Sequence, residues 1–338
     1  MPKLRFGMIG AGAISGSHVP AIKAREDCAF VCIADVNEDQ ARARAEQWDG
    51  EYCTDYNELV QRDDLDAIVV GIPTRFHADA TIKALEHGKH VLCEKPMART
   101  LEECDAMTAA AEAAGKVLQI GFVRRFDDDW GTMRRLVHEG QVGRPCMWRR
   151  IVCGAAPGPP NYGEWYSDAR FSDGPLPESG SHDLDFLRYT FGDVAAVTAH
   201  MDRLANYGSV LDNTVVILYF QSGDQALVQW SWSLPRGASP GFGGMDVIGP
   251  EGSIHSMRQA DGKCFMDISR AGGEVESVEF VNRRDAETWG QGQMNNFIHC
   301  IQTGDTPRAT GWDGRCAQEI YLAAVQSMQE GRRIELPL

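Results

Sequence analysis

The stretch from Leu4 to Gly16 constrains this chain more than any other. Leu4 to Ile9 is an apolar run fit for a buried strand, and Gly10, Gly12 and Ser15 follow it in a G-x-G-x-x-S turn. Each position of such a turn has a physical job. Gly10 permits the tight bend, Gly12 lets the backbone approach a pyrophosphate, and Ser15 is small enough for a helix to pack closely on the strand. The helix expected from Ala13 to Arg25 offers N–H groups and a positive dipole end to phosphates. Glycine-rich turns are common, so the context decides. The next apolar run, Ala29 to Ala34, ends at Asp35. A carboxylate about 20 residues beyond the glycines accepts hydrogen bonds from ribose hydroxyls. The same carboxylate repels a 2′-phosphate, so NAD is expected and NADP is less favoured.

The first third of the chain keeps alternating strand and helix. A polar helix is expected over Asn37 to Trp48 and a short strand near Tyr52. Asp66 to Gly71 and His90 to Cys93 are continuous apolar runs, as in parallel strands covered on both faces. Helices fit Phe76 to His87 and Leu101 to Ala114, and Val117 to Gly121 closes the set. The fold class is α/β, with a doubly wound Rossmann-type parallel sheet over residues 1–122.

Composition shifts after Gly121. Arg124, Arg125 and Phe126 lead into a helix expected to run through His138, and a strand follows from Cys146 to Cys153. Gly154 to Ser179 is a long Pro/Gly-rich loop carrying Tyr162, Trp165 and Tyr166, and loops of that length are usually functional or disordered. Val194 to Val281 reads as short alternating strands joined by turns, hence a large, mostly antiparallel open sheet. Helices over Trp289 to Thr303 and Trp312 to Gln329 end the chain. Residues 123–338 therefore read as a second α/β domain for substrate binding and oligomerisation.

The whole chain excludes several classes. Its 338 residues carry 48 acidic and 33 basic side chains, a net charge of −15 that disfavours a nucleic-acid partner. Ten cysteines lack metal-ligand spacing, and several sit in apparent strands. Buried reduced thiols are expected, with no metal and no disulfide framework. The first apolar run is needed as a strand and is too short for a secretion signal, and no run spans a membrane. A cytoplasmic protein is the expectation.

Four places invite chemistry. Lys95 ends a parallel strand just before Pro96; it is either a solvated lysine at a turn or a donor to a substrate hydroxyl. Pro96 can fix the local backbone through a cis bond. His182 has Glu178 four residues before it and Asp185 three residues after, one face if all three are α-helical. It is either a satisfied helix-start histidine or a general base oriented by a carboxylate. Ser181, His182 and Asp183 form no hydrolase triad, because adjacent helix residues point about 100° apart. Arg124 and Arg125 either contact a polyol or bridge domains. Trp230 and Trp232 alternate onto one strand face; they either stack on a sugar or, the more ordinary use, pack against a helix or a second subunit.

With these residues on the page, the chain resembles the Gfo/Idh/MocA family of NAD(P)-dependent oxidoreductases. The likeness runs along the whole chain. It rests on Gly10-x-Gly12, on Pro73, Thr74 and His77, on Gly88 to Val91 followed by Glu94-Lys95-Pro96, and on Gly180-x-His182-x-x-Asp185. Gly121 to Asp127 looks like the inositol dehydrogenase branch. The resemblance implies hydride transfer between nicotinamide and a carbon bearing a hydroxyl, on a cyclic polyol or sugar. Lys95 and His182 match the family's catalytic pair, Glu178 stands where an Asp is frequent, and Asp185 matches a substrate contact. The expected cofactor set is Gly10, Gly12, Ala13, Ile14, Asp35, Pro73, Thr74, His77, Glu94 and Lys95. The expected substrate set is Lys95, Arg124, Arg125, Tyr162, Trp165, His182 and Asp185. The family also holds deoxysugar reductases, redox-assisted glycosidases and silent dinucleotide-binding sensors. Its second domain usually builds a homodimer or homotetramer.

Overall fold

The computed structural model describes residues 3–157, 163–205, 208–258, 261–281 and 290–338. These fall into two compact units. One takes in residues 3–123 and 290–318; the other holds 124–157, 164–281 and 319–338.

In the first unit, strands β1 (Leu4–Ile9), β2 (Cys28–Ala34), β3 (Glu51–Cys53), β4 (Ala67–Val70), β5 (His90–Cys93) and β6 (Leu118–Ile120) form one sheet. Its order is β3-β2-β1-β4-β5-β6, and every pairing is parallel. The order reverses between β1 and β4, which makes the carboxyl ends of those strands the natural ligand crevice. Helices α1 (Ser15–Lys23), α2 (Glu38–Trp48), α3 (Tyr56–Val60), α4 (His77–Glu86) and α5 (Leu101–Ala114) connect the strands. Their ends follow local chemistry. Asn37 caps α2 by accepting from the Gln40 N–H. Thr100 and Glu103 form a reciprocal capping box at α5. Ala67 to Val70 are fully buried, because helices cover both faces of this sheet.

The two faces have separate cores. On one, Phe6, Met8, Val69 and Leu92 pack with Val19 and Ile22 of α1 and with Phe297 and Ile298. On the other, Ile68, Val70 and Val91 pack with residues of α3, α4 and α5, such as Leu59, Leu85 and Met107. Each such side chain contributes about 1.5–3 kcal/mol when fully buried.

The second unit opens with α6 (Asp128–His138) and β7 (Met147–Cys153), then α7 (Ser181–Phe191). Strands β8 (Val194–Asp202), β9 (Asn213–Phe220), β10 (Gln225–Ser231), β11 (Gly244–Gly249), β12 (Gly252–Arg258), β13 (Cys264–Arg270) and β14 (Glu276–Phe280) follow. Helix α8 (Gln291–Thr303) belongs to the first unit, where Phe297 meets Phe6 edge-on at 6.3 Å. Helix α9 (Gly311–Glu330) and β15 (Ile334–Glu335) end the chain.

The second sheet has nine strands, ordered β14-β13-β12-β11-β7-β10-β9-β8-β15. All its pairings are antiparallel except that of β7 with β10. One face is packed under α6 and α7: Trp148 of β7 stacks on Trp130, and Phe186 sits edge-on to both. Val215, Ile217, Tyr219 and Leu227 point to the opposite face and stay half-buried. Among the described residues no helix is long and apolar enough to cross a membrane, and no three His, Cys, Asp or Glu side chains gather as a metal site. All ten cysteines are free thiols.

One expectation is refined and one needs correction. The lead-in to the helix after Gly121 takes a definite form: Val123–Phe126 is a 3-10 turn, Asp127 is extended, and the α-helix runs from Asp128 to His138. The single α-helical face expected for Glu178, His182 and Asp185 is interrupted. Glu178 lies in a π-helical turn, Leu176–Gly180, and the α-helix starts only at Ser181. Pro177 within that turn has no N–H to give to a tighter ladder.

Candidate active site

The dinucleotide cradle is built in the first unit. Gly10 sits at φ +102°, and a Cβ there would lie 2.2 Å from the Gly71 carbonyl oxygen. Only glycine fits, and the two loops leaving β1 and β4 can therefore meet. At Gly12 a Cβ would meet nothing within 4 Å, so the backbone stands open to a ligand on that side. Ser15 is buried and donates its hydroxyl to the Gly12 carbonyl at 2.6 Å, bracing the turn. No side chain caps the start of α1 at Ile14. Ala13 is exposed and Ile14 half-buried beside it.

Asp35 follows β2 and is half-buried. Its Oδ2 accepts the Ala11 N–H at 2.8 Å and its Oδ1 the Asn37 N–H at 2.9 Å. Both bonds hold the carboxylate against the glycine turn. The Ala11 carbonyl in turn accepts from Gln40 at 3.1 Å and from Arg44 at 3.4 Å, two contacts the sequence did not announce. A cradle whose glycines leave room, with an oriented carboxylate beside it, fits the pyrophosphate and the ribose diol of NAD.

The turn after β5 carries Glu94, Lys95 and Pro96, and the Lys95–Pro96 peptide is cis. Lys95 is half-buried; Glu94 and Pro96 are buried. Glu94 Oε1 lies 2.7 Å from His18 Nε2, and Oε2 accepts the Lys95 N–H at 3.2 Å. Burial pushes a carboxyl up, yet His18 and Lys95 bring Glu94 below its ordinary value, so it is ionised. An ionised carboxylate only accepts, so His18 Nε2 carries the proton.

Pro73 and Thr74 follow β4, and Thr74 is buried. His77 is buried beneath them, with Nδ1 2.8 Å from the Pro96 carbonyl and Nε2 2.8 Å from the Ile72 carbonyl. Burial lowers the pKa of this ring. A neutral imidazole donates to one carbonyl and turns a lone pair to the other. Two facing carbonyls favour a proton on both nitrogens, but burial opposes it and dominates, because no carboxylate among the described residues is hydrogen-bonded to the ring. His77 thus lies between the loop after β4 and the loop after β5 and donates a hydrogen bond to one of them.

The second unit assembles the other expected residues around α7. His182 is half-buried on its first turn, and Glu178 is buried on the π-turn before it. Asp185 is buried and receives two bonds from Arg125, Nε at 2.9 Å and Nη2 at 2.6 Å. Two expected substrate residues thus hold each other. The Arg125 guanidinium also lies over the Tyr189 ring at 4.6 Å. Arg124 pairs instead with Asp127 at 2.6 Å and lies 5.7 Å over Trp130.

Asp183, unremarked as a site residue, is buried and takes the Trp230 indole N–H at 2.6 Å and Arg150 Nε at 3.2 Å. Burial pushes its pKa up against these two donors. Trp230 therefore serves as a hydrogen-bonding wall, packed so close to Gly180 that a Cβ there would stand 2.8 Å from its ring. Trp165 lies in a 3-10 turn, Glu164–Ser167, stacked on Tyr166 at 3.9 Å, and Tyr166 meets Trp232 edge-on. Tyr162 lies outside the described residues.

Comparison with known proteins identifies the fold's relatives. Residues 4–122 match the family model described as the oxidoreductase family with NAD-binding Rossmann fold, and residues 130–255 match the GFO/IDH/MocA C-terminal domain. The chain is 30% identical to 1,5-anhydro-D-fructose reductase of Ensifer adhaerens over 98% of both proteins. The chain belongs to the GFO/IDH/MocA oxidoreductase family. It is also 28% identical to myo-inositol 2-dehydrogenase of Thermotoga maritima, over 98% of each chain. Among solved structures, the aldose-aldose oxidoreductase of Caulobacter crescentus, complexed with glycerol, superposes with a TM-score of 0.83 at 25% identity. That match covers 99% of this chain and 100% of the other. As a member of this family the protein is an NAD(P)-dependent oxidoreductase acting on CH–OH groups, and its first unit is an NAD-binding Rossmann domain.

Proposed function

We propose that this protein is an NAD-dependent dehydrogenase that oxidises a secondary hydroxyl of a cyclic polyol or sugar. The observation that carries the reading is the Lys95 turn. A half-buried lysine stands at the carboxyl end of β5, braced by Glu94, in the unit that presents Asp35 and the glycine turn. Gly10, Gly12, Ala13, Ile14 and Asp35 hold the dinucleotide, with Pro73, Thr74 and Glu94 lining its nicotinamide end. Bound NAD supplies the acceptor for the hydride that leaves the carbinol carbon.

The chain's own residues do the rest. Lys95 donates a hydrogen bond to the reacting hydroxyl and stabilises negative charge as it grows on that oxygen. His182 takes the hydroxyl proton as general base, and Glu178 orients its ring. Asp185, Arg124 and Trp165 contribute to substrate recognition. Asp35 favours NAD over NADP because a 2′-phosphate would meet a fixed carboxylate. Homodimers or homotetramers form through the open face of the second sheet.

A panel of inositols, aldoses and anhydrosugars tests the function, scored by NADH absorbance in both directions. Oxidation of at least one polyol that disappears in Lys95→Ala supports the reading, and inertness across the panel with NAD and NADP sinks it. The likeness to an anhydrofructose reductase favours a second reading, in which the same residues run the reduction of a sugar ketone. His182 then donates the proton it would otherwise take. The direction with the larger kcat/KM at neutral pH decides between them.

A further inference from the structure

His18 is buried on α1, the helix that leaves the glycine turn, and is 1% exposed. Its only charged hydrogen-bond partner among the described contacts is Glu94, 76 residues away. Nothing in the proposed chemistry uses it. Its ring sits behind the turn that presents Lys95, and its Nε2–H reaches Glu94 Oε1 at 2.7 Å. The other oxygen of the same carboxylate accepts the Lys95 N–H at 3.2 Å. Gly121 closes the opposite side: a Cβ there would lie 2.9 Å from Glu94 Oε2 and 3.2 Å from its Cα. The carboxylate therefore lies between a histidine, a glycine and the lysine's own peptide, in space that any side chain at position 121 would occupy.

We propose that His18 is a positioning residue for Lys95: by holding Glu94, it fixes the peptide from which the lysine side chain departs. This proposal rests on the assignment of Lys95 to the reacting hydroxyl. The chain of bonds runs from α1 through His18, Glu94 and the Lys95 N–H. A second buried histidine, His77, stands beyond the lysine, with its Nδ1 2.8 Å from the Pro96 carbonyl oxygen. The turn is clamped at its entry by the bond from His18 to Glu94 and flanked at its exit by the His77 ring, and Lys95 lies between them. If the entry clamp is removed, Glu94 becomes a buried carboxylate with one partner fewer. It then either draws water to itself or rotates, and the Lys95 backbone moves with it. A catalytic group displaced by about 1 Å loses on the order of a hundredfold in rate.

The test compares wild type with His18→Leu, His18→Gln and Lys95→Ala in the full-length protein. Leucine removes the donor; glutamine can place an amide N–H near the same oxygen. Five quantities are read: kcat and KM on the best substrate of the panel, the NAD dissociation constant from quenching of tryptophan fluorescence, the melting temperature, and the rate of Lys95 reductive methylation followed by peptide mass spectrometry. The expected pattern in His18→Leu is a kcat about tenfold or more below wild type. NAD affinity and KM stay near wild type, Lys95 methylation changes severalfold, and the neighbouring Lys89 does not change. His18→Gln recovers most of kcat and restores the Lys95 methylation rate, even where its melting temperature remains as low as that of His18→Leu. A wild-type kcat and methylation rate in His18→Leu overturns the proposal. So does a loss confined to NAD affinity, or one that glutamine fails to recover. Full turnover in Lys95→Ala would instead overturn the proposed role of Lys95 itself, whatever His18 does.

Discussion

Arg125 and Asp185 form a two-pronged ion pair whose side chains are 3% and 1% exposed. Both charges have left water, so the pair stays favourable only while both members are present. Removal of one leaves a buried charge unmatched, at a cost of about 3–5 kcal/mol, whereas replacing both with apolar side chains is often close to neutral. Arg125→Met is therefore expected to lower the unfolding free energy by that amount. Arg125→Met with Asp185→Leu is expected to cost much less than the two single changes summed. Denaturant melts of the four proteins check this. Strict additivity would mean that the two groups do not support each other.

Cofactor choice turns on Asp35. Its two oxygens are held by the Ala11 and Asn37 N–H groups, so the carboxylate cannot swing away from a ligand. Asp35→Ser removes the repulsion toward a 2′-phosphate and the acceptor for the ribose diol together. A charge-assisted hydrogen bond is worth about 1.5–3 kcal/mol. The ratio of kcat/KM for NAD over NADP should fall by about ten- to a hundredfold on that basis. An unchanged ratio would show that selectivity resides elsewhere on the adenosine side.

Acid affects Asp129 in a way opposite to a surface carboxylate. Burial and the neighbouring Asp127 push its pKa up to about 6. The folded state therefore holds the proton more tightly than the unfolded chain, whose Asp titrates near its ordinary value. By linkage, this residue's contribution is best below the unfolded pKa and is lost as pH rises toward about 6. Asp129→Asn cannot ionise, yet its side-chain oxygen still accepts the Trp130 N–H that Asp129 accepts at 2.8 Å. The side chain is only half-buried, so the gain at pH 7.5 is discounted to about 1 kcal/mol. That corresponds to a melting temperature about 2–4 °C higher, shrinking to nothing near pH 4. Melts across pH 4 to 8 read both limbs, and an equal offset at every pH would assign the change to packing.

Much of the first unit was legible because its signals are local. The strand at His90–Cys93 and the helix at Leu101–Ala114 lie where the sequence pattern puts them. Asp35 and Lys95 could be placed at strand ends for the same reason. What could not be read depends on tertiary pairing. Nothing in Met147 to Cys153 marks it as the parallel partner of β10, and nothing in α8 states that Phe297 meets Phe6. His18 looked like an ordinary helix residue, because Glu94, its partner, lies 76 positions on. The π-turn escaped because an i,i+4 spacing presumes α geometry, and the prolines at 175 and 177 argued only for a loop. Asp183 was passed over for a sound local reason, that it cannot relay to its neighbour; its partners, Trp230 and Arg150, come from strands β10 and β7.

Glu178 and His182 remain the sharpest test of the proposed chemistry. Glu178 is buried in the π-turn, and His182 opens the first turn of α7. If the carboxylate orients the imidazole and stabilises its protonated form, Glu178→Gln and His182→Asn damage one and the same step. Each alone is expected to lower kcat, by about 10²-fold for the loss of a general base. The double change should cost less than the two free energies summed, as for residues that act as a unit. A structural glutamate behaves otherwise. Near a helix start its charge favours the dipole by about 0.3–1 kcal/mol. Glu178→Gln would then lower the melting temperature slightly and leave turnover intact. A double-mutant cycle on kcat, with thermal melts of the same four proteins, separates the two roles. Additive losses in kcat would leave His182 as a base that works without Glu178, and would place the glutamate among the residues that merely build the turn.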